Sequence, residues 1–282
     1  MLPWALASLV AQTHQEWECL VIDDGSADRP RDVVDRFEDP RIRYMRLDRN
    51  RGPAAARQLA LEHARGDFIA MLDADDWAYP TRFETQLAAF AADPDLAAVG
   101  SGMAVVDADN RLLGVRGAVD QEGVSYGMRA LPASCGQATV MLPGAIARSG
   151  RFDPGLRRTE DADYLHDVLR GRRFRVLAGP LYAYREDPRG AALRSLRAHA
   201  HRRIALRKRL RDNPLRASAR LLDSYAKTAV YAAAHLAGLD TTLARARNRN
   251  PTLDQIAEFE SARDGIAGIL RRVGFETFPK AS

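Results

Sequence analysis

Cysteine is scarce in this sequence of 282 residues, which contains only Cys19 and Cys135. Two cysteines so far apart form neither a disulfide framework nor the paired spacing of a zinc site. Both lie in apolar surroundings, where a thiol is inert, so we interpret Cys135 as a buried residue rather than a nucleophile. The sequence therefore indicates a reducing, cytosolic setting and excludes disulfide-rich secreted folds.

Long apolar runs are also absent. The most apolar stretch, from Thr228 to Leu239, is shorter than the roughly 20 residues that a membrane-spanning helix needs. Residues 2–10 are as apolar as a signal peptide, but no basic residues precede them, and their spacing predicts an amphipathic helix instead. We therefore expect a soluble protein that resides in the cytoplasm or lies peripherally at the inner membrane face.

The net charge of +5 is unevenly distributed. Residues 189–250 contain 15 Lys and Arg against 3 Asp and Glu, a net charge of +12, which leaves −7 for the rest of the chain. An acidic part and a basic part with different tasks are therefore predicted.

Three carboxylates follow a short apolar segment in the acidic part. Residues 68–72 have the composition of a buried strand in a parallel sheet, and Asp73, Asp75 and Asp76 come directly after them. Ligands of open α/β sheets bind at the carboxyl ends of strands, and along an extended segment Asp73 and Asp75 point the same way. Their hard oxygen atoms suit Mg²⁺ or Mn²⁺ with a diphosphate. The alternative is an Asp-rich turn that caps the next helix, which an Asp-x-Asp triplet alone would favour.

Strands and helices alternate through the first two thirds of the chain. The strands are predicted at 17–22, 42–47, 68–72, 96–107, 138–142, 174–178 and 181–185, and the helices at 2–13, 30–38, 53–65, 80–92 and from Thr159 onward. This alternation is typical of an α/β fold with a mainly parallel, doubly wound sheet, here predicted to span residues 1–187. The first strand of such a sheet would normally precede the first helix, and no strand is predicted there.

A second acidic cluster is predicted at the start of a helix. Thr159 is a typical N-cap residue and would place Glu160, Asp161 and Asp163 in the first turn. Acidic residues in a first turn often only complement the helix dipole, and the local sequence alone favours that interpretation. His166, one turn further on, is interpreted as a surface or core residue.

These segments together resemble a family 2 glycosyltransferase of the GT-A fold. The motifs that carry the resemblance are SLVAQT at 8–13, VIDDGS at 21–26, NRG at 50–52 with AR at 56–57, LDADD at 72–76 with Pro80, and GRFD at 150–153 before TED at 159–161. Each motif is weak alone, but their order and spacing are specific. The resemblance covers about residues 2–187, without the family's opening strand and the loop after it.

On the donor side, the resemblance implies an enzyme that takes its sugar from a nucleotide sugar, most simply a UDP-sugar. Asp24, with Asp23 beside it, would hold the uracil ring by accepting the ring N–H. Asp75, with Asp73 and Asp76 nearby, would bind the Mn²⁺ or Mg²⁺ ion that bridges the two phosphates.

On the acceptor side, the resemblance implies that Asp161 is the general base and that Glu160 supports it or contacts the acceptor. A carboxylate at a helix N-terminus stays ionised, so we expect Asp161 to accept a proton at neutral pH. Arg57 would neutralise phosphate charge, or else be solvated or paired with Glu62 or Asp67. A single in-line displacement would invert the anomeric configuration.

Several interpretations stay open at this point. Trp77 would stack on a sugar ring or pack over the end of the sheet. A catalytically silent glycosyltransferase-like module is the alternative function; the absent strand supports it, and the retained acidic motifs oppose it. A sugar nucleotidyltransferase ranks lower, because no Gly-rich basic loop occurs early in the chain.

Residues 188–282 are predicted to form a basic helical extension, with helices near 190–212, 215–238 and 253–272. The simplest interpretation is an appendage with a solvated arginine face. A second is peripheral contact with anionic lipid head groups, which would suit a lipid-linked acceptor in polysaccharide or glycoconjugate synthesis; a free sugar is the other acceptor class. Nucleic acid ranks last as a partner, since no nucleic-acid motif accompanies the charge.

Overall fold

The computed structural model describes residues 1–117, 121–125, 137–187, 191–208, 210 and 214–275, so Cys135 lies outside the described part. The strands are β1 (Cys19–Asp23), β2 (Ile42–Arg46), β3 (Phe68–Ala70), β4 (Trp77–Ala78), β5 (Leu96–Val106), β6 (Leu112–Arg116), β7 (Gln121–Val124), β8 (Met141–Pro143) and β9 (Arg173–Arg185). The helices are α1 (Leu2–Val10), α2 (Pro30–Asp35), α3 (Pro53–His63), α4 (Arg82–Ala92), α5 (Gly144–Ala147), α6 (Glu160–Leu169), α7 (Ala191–Lys208), α8 (Pro214–Leu236), α9 (Asp240–Ala246) and α10 (Leu253–Arg272).

The strands form two sheets. β1 and β2 pair in parallel as a two-stranded sheet, and the larger sheet has the order β3–β8–β5–β9–β4, with β6 beside β5 and β7 beside β9. β5 and β9 run parallel, whereas β3 pairs antiparallel with β8. The predicted α/β fold with a helical C-terminal region is confirmed, and its sheet is mixed. The expectation of parallel pairing for the strand before Asp73 was wrong.

The strand β9 is continuous over 13 residues, where two separate strands were expected. Gly179 has a φ of +92°, and the register between β5 and β9 shifts between Ser101 and Gly102, opposite this point. A left-handed glycine followed by a proline that lacks an N–H forms a bulge within a strand rather than a turn between two strands. Because β9 continues past the bulge, it carries Tyr182 and Arg185 to the end of β4.

Two main apolar cores hold the fold together. One combines residues of α3 and α6 with the sheet: Leu61, Val140, Tyr164, Leu169 and Val176. The other joins α1, β4 and α10: Trp4, Leu6, Trp77, Phe259, Ile266 and Leu270. The helix α10 begins with a reciprocal cap, in which the Thr252 hydroxyl accepts from the Gln255 N–H and the Gln255 side chain accepts from the Thr252 N–H.

The C-terminal helices thus serve different purposes. α10 completes the core around α1, while α7 and α8 pack mainly against each other. Within the described ranges of the chain, no helix is both long and apolar enough to cross a bilayer. The division into a domain at 1–187 and an extension at 188–282 stays a prediction.

Candidate active site

The acidic segment after β3 forms a turn. The Asp76 N–H donates to the carbonyl of Asp73 over 3.1 Å, and Asp75 lies exposed at the tip. The expectation that Asp73 and Asp75 share one side of an extended segment was therefore wrong, because the chain reverses between them. A turn still presents the Asp75 carboxylate to solvent at the end of the strand.

Asp76 faces inward, away from solvent. It is buried, its Oδ1 accepts from the Arg185 backbone N–H over 2.7 Å, and its Oδ2 accepts from the Tyr182 hydroxyl over 2.8 Å. Burial raises the pKa of Asp76 to about 8, since the ionised form loses its hydration. Both carboxylate oxygens thus serve the fold, and among the described residues no group of three His, Cys, Asp or Glu side chains is preassembled for a metal ion. Metal binding by Asp73 and Asp75 stays a prediction; Asp76 has surroundings that favour an anchoring role.

Residues at the end of β9 hold the Asp73–Asp76 turn in place through hydrogen bonds. The Arg185 guanidinium donates to the carbonyl of Asp75 over 2.8 Å, to the carbonyls of Asp107 and Ala108, and to the side chain of Asn110. The Tyr182 hydroxyl also accepts from the backbone N–H of Asp73, at 3.2 Å. Sequence reasoning missed these anchors. The only available signal was one arginine at the end of the predicted strand 181–185, which is otherwise uncharged.

We expect Asp76→Asn to change how stability depends on pH. The folded-state pKa of Asp76 lies above the value of about 3.9 in an unfolded chain, so between the two values the folded protein holds a proton that the unfolded chain has released. The free energy of unfolding should therefore fall as pH rises from about 4 to about 8, by up to about 1.4 kcal/mol per pH unit from this group. Urea unfolding between about pH 5 and pH 7 should show a shallower decline in Asp76→Asn, and an unchanged decline in Asp95→Asn, an exposed control. Equal slopes in wild type and Asp76→Asn would contradict the assignment.

Trp77 belongs to the core. Its ring is fully buried, stacks on Tyr79 at a centroid distance of 5.4 Å and donates its N–H to Asn110 over 3.0 Å. Stacking on a sugar was therefore the wrong alternative, and packing over the sheet end was the right one. The tryptophan instead holds Asn110, which in turn holds Arg185.

Arg57 joins the two acidic clusters. Projecting from α3, it donates to Asp73 over 3.0 Å and also to Glu160 at the start of α6. The alternative pairing with Glu62 or Asp67 was wrong, because Glu62 is hydrogen-bonded by the neighbouring Gln58 instead. One guanidinium thus brings together carboxylates that lie far apart in the sequence.

The start of α6 differs from the predicted cap. Thr159 has a φ of 63°, its side chain makes no capping bond, and its buried hydroxyl has no partner. The helix nevertheless begins at Glu160 as predicted. Burial raises the pKa of both Glu160 and Asp161, although Arg57 acts in the opposite direction on each. Burial therefore outweighs the effect of Arg57, and the pKa of Asp161 lies above that of an ordinary aspartate.

A small cavity lies beneath Arg57, Asp73 and Asp161. Its volume of about 20 Å³ is enough for about one water molecule. The rest of its lining is mostly apolar: Ile69, Met71, Val140, Leu142, Phe152, Tyr164 and Leu165. Arg57, Asp73 and Asp161 thus line one mostly apolar cavity, where electrostatic interactions are stronger than in water.

Asp23 is part of the framework at the end of β1. It is buried, accepts from Ser26 N–H over 2.7 Å and from Arg46 over 2.8 Å, and is also bonded by the Tyr44 hydroxyl. Burial alone would raise the pKa of Asp23, but these donors favour its ionised form and the pKa lies below its usual value. Its role is to hold β2 and the turn after β1.

Asp24 fixes the loop that leads into α3. Its two oxygens accept from the backbone N–H groups of Arg51 and Gly52, both at 2.7 Å. Gly25 has a φ of +75°, and a Cβ there would lie 2.7 Å from the Asn50 nitrogen, so only glycine fits this close approach. The structure thus connects Asp24 to the helix that carries Arg57. Its contact with a nucleotide base stays a prediction.

Solved structures place this fold in the GT-A class. TarS from S. aureus in complex with UDP-GlcNAc matches with a TM-score of 0.56 and 19% identity, over 96% of this chain and 78% of that one. The mannosyltransferase PcManGT from Pyrobaculum calidifontis, in complex with GDP-Man and Mn²⁺, matches with a TM-score of 0.57 and 20% identity, over 95% of this chain and 77% of that one. At these identities the likeness shows the fold alone.

The chain belongs to glycosyl transferase family 2, whose family model matches residues 1–144. The putative glycosyltransferase EpsE of Bacillus subtilis is 31% identical over 191 residues, which cover 65% of this chain and 67% of the relative. A UDP-Glc:alpha-D-GlcNAc-diphosphoundecaprenol beta-1,3-glucosyltransferase, WfgD of Escherichia coli, is 41% identical over 83 residues, 29% of this chain and 33% of that protein. The match spans two thirds of EpsE but only a third of WfgD. The prediction of a family 2 glycosyltransferase is confirmed.

Proposed function

We propose that this chain transfers a sugar from a UDP-sugar to a hydroxyl acceptor by a single, inverting displacement. The observation that carries the proposal is the contact of Arg57 with both Asp73 and Glu160, because it assembles the strand-end carboxylates and the first turn of α6 into one site. A base on one side and a leaving diphosphate on the other are the two requirements of such a displacement.

Asp161 is the general base of the proposed reaction. It follows Glu160 directly in the first turn of α6 and lines the cavity below Arg57. A pKa raised by burial brings a carboxylate closer to the operating pH, which improves proton transfer as long as the group remains ionised. Arg57 favours that ionised form. Asp161 thus takes the proton of the acceptor hydroxyl as its oxygen bonds to the anomeric carbon.

The donor binds across the ends of β1 and β3 in this proposal. Asp24 accepts the uracil N–H through lone pairs that remain beside its two backbone bonds. Asp75 and Asp73 offer hard oxygen atoms next to the place of the diphosphate. Mg²⁺ and Mn²⁺ are commonly held by one or two carboxylates, with water and substrate phosphates completing the shell, so these residues fit such an ion. The ion would stabilise the charge that develops on the leaving diphosphate.

The acceptor class is proposed from the relatives. The name of WfgD describes transfer to a sugar on diphosphoundecaprenol. A lipid-linked sugar at the cytoplasmic face of a membrane would suit the basic helices of this chain, and a free sugar acceptor is the alternative. The product would be a polysaccharide or glycoconjugate.

A silent binding module is the second candidate function. The observation that favours it is the engagement of Asp24 by backbone N–H groups and of Asp73 by Arg57, which leaves Asp75 as the most exposed carboxylate of the donor side. A silent module could bind UDP but would not cleave a UDP-sugar in the presence or absence of an acceptor.

Calorimetry of UDP binding with and without Mn²⁺ tests the donor site. We expect binding that requires Mn²⁺, and a loss of affinity of about tenfold or more in Asp75→Ala. Asp67→Ala is the matched control, because Asp67 is an exposed aspartate at the opposite end of β3. Hydrolysis of UDP-sugars by the wild-type chain then separates the transferase from the silent module. Equal affinity in Asp75→Ala and wild type would overturn the proposed donor site.

A further inference from the structure

One face of α8 is apolar and exposed along its whole length. At about 100° per residue, the residues that fall within roughly 60° of one direction are, apart from Ser218, eight apolar ones. They are Leu215, Ala219, Leu222, Ala226, Ala229, Val230, Ala233 and Leu236. The larger ones are open to solvent: Leu215 is 84%, Leu222 70%, Val230 59% and Leu236 88% exposed. We call these eight residues the α8 apolar face.

The orientation of α8 is unusual for a surface helix. Surface helices normally turn their apolar side to the core and their charged side to water. Here the side that packs inward carries Leu221 and Tyr231 together with small and polar residues, among them the buried Ala217 and Ser224. Ser224 bonds to His199 of α7 over 3.1 Å. The apolar face therefore lies outside the packing between α8 and α7 and stays exposed. An exposed apolar surface of this kind marks an interaction site.

The edge of the apolar face is aromatic and basic. Tyr225 lies there, half exposed, and Arg203 of α7 stacks over its ring at 4.6 Å from the centroid. Arg207 donates to the Tyr225 hydroxyl at 3.4 Å. Tyrosine and arginine are suited to the boundary between acyl chains and head groups, because each has an apolar body and a polar tip.

We propose that the α8 apolar face lies in the plane of an anionic lipid bilayer. A helix of 23 residues is about 35 Å long and can rest flat on a membrane with its apolar side at the acyl boundary. The net charge of +12 over residues 189–250 favours an anionic bilayer over a second copy of the chain as the partner that covers this face. Two copies would bring like charges together, whereas anionic head groups complement them. The proposal is independent of sugar transfer, although a lipid-linked acceptor would be presented at the same surface.

Vesicle flotation of the full chain tests the proposal. The probes are unilamellar vesicles of phosphatidylcholine alone and with about 30% phosphatidylglycerol. We expect wild type to float with the anionic vesicles and to bind neutral ones at least about tenfold more weakly. Leu222→Glu should reduce partitioning about tenfold or more, since it places a charge in the middle of the face. Leu253→Glu is the control: Leu253 is 84% exposed but lies on α10, outside the face.

Three results would overturn the proposal. These are a wild-type chain that does not float with anionic vesicles, equal flotation of Leu222→Glu and wild type, and a loss of flotation in Leu253→Glu as large as in Leu222→Glu. Sedimentation velocity tests whether a second copy of the chain binds the face instead. A wild-type dimer that does not bind vesicles, and that Leu222→Glu converts to a monomer, would assign the face to a second copy. UDP affinity of Leu222→Glu is measured in parallel. A variant that binds UDP normally but does not float separates the membrane surface from the donor site.

Discussion

Asp161→Asn is expected to lower kcat for sugar transfer by about 10²–10⁴-fold while leaving UDP affinity within about twofold. Asparagine keeps the size and one acceptor oxygen of the side chain, but it cannot take the proton of the acceptor hydroxyl. Asp161 follows the Arg57 partner Glu160 and does not itself bind the nucleotide in the proposed geometry. Its removal should therefore affect the chemical step rather than donor binding.

The pH dependence of kcat gives a second measure of the same residue. Burial raises the pKa of Asp161, so the ionised base is lost at a higher pH than for an ordinary aspartate as the solution is acidified. The acid limb of wild type should consequently lie above about pH 4. Asp167→Asn, an exposed position on the same helix, should behave as wild type. Retention of more than about a tenth of kcat in Asp161→Asn would rule out Asp161 as the base.

Arg57→Ala is expected to lower the free energy of unfolding by about 2–4 kcal/mol. Without the guanidinium, the buried Glu160 carboxylate loses its charged partner, and a buried unpaired charge is far more costly than a broken surface pair. Arg65→Ala is the matched control. Arg65 is an exposed arginine that also bonds a glutamate, Glu18, and surface pairs of this kind contribute about 0–1 kcal/mol.

The same variant should move the pH profile of whatever activity remains. Arg57 lowers the pKa of Glu160 and of Asp161, so its removal raises both values and shifts the acid limb of kcat to higher pH. Arg57→Lys should retain part of this effect, because it keeps the charge without the two-pronged geometry that reaches both carboxylates. Urea unfolding and kcat profiles measured on the three variants test the assignment. An Arg57→Ala loss no larger than that of Arg65→Ala would show that Arg57 is only a surface arginine.

Helices and strands whose formation depends on local sequence alone could be predicted with their bounds. The helix α10 was predicted at 253–272 and is found at Leu253–Arg272, where Thr252 and Gln255 form its cap. The strand β5 was predicted at 96–107 and is found at Leu96–Val106, because its run is long and largely apolar in spite of the Gly100-Ser101-Gly102 segment within it. By contrast, β9 was divided at Gly179, because the same glycine and proline signal a turn in isolation and a bulge when a partner strand continues alongside.

The residues of the candidate site were predictable from the sequence, and their geometry was not. The carboxylates of both clusters and Arg57 were recognised from local motifs, and the structure brings Asp73, Glu160 and Arg57 into contact. The turn at Asp73–Asp76 depends on the distant Tyr182 and Arg185, which no local pattern connects to it. The inward position of Asp76 follows from the same contacts, so a strand-like alternation was the wrong guide.

The anchoring of the acidic turn by β9 affects when the turn can form during synthesis on the ribosome. Tyr182 follows Asp73 by 109 residues, and Arg185 follows Asp75 by 110. At about 5–20 residues per second, a ribosome completes the turn roughly 5–20 s before it delivers these anchors. A nascent chain therefore exposes Asp75 and Asp76 before their partners on β9 exist, whereas Arg57, the partner of Asp73, is already present. The acidic turn is complete only when contacts that span about 110 residues close, so the shape of this candidate site depends on the folding of the whole segment from Asp73 to Arg185.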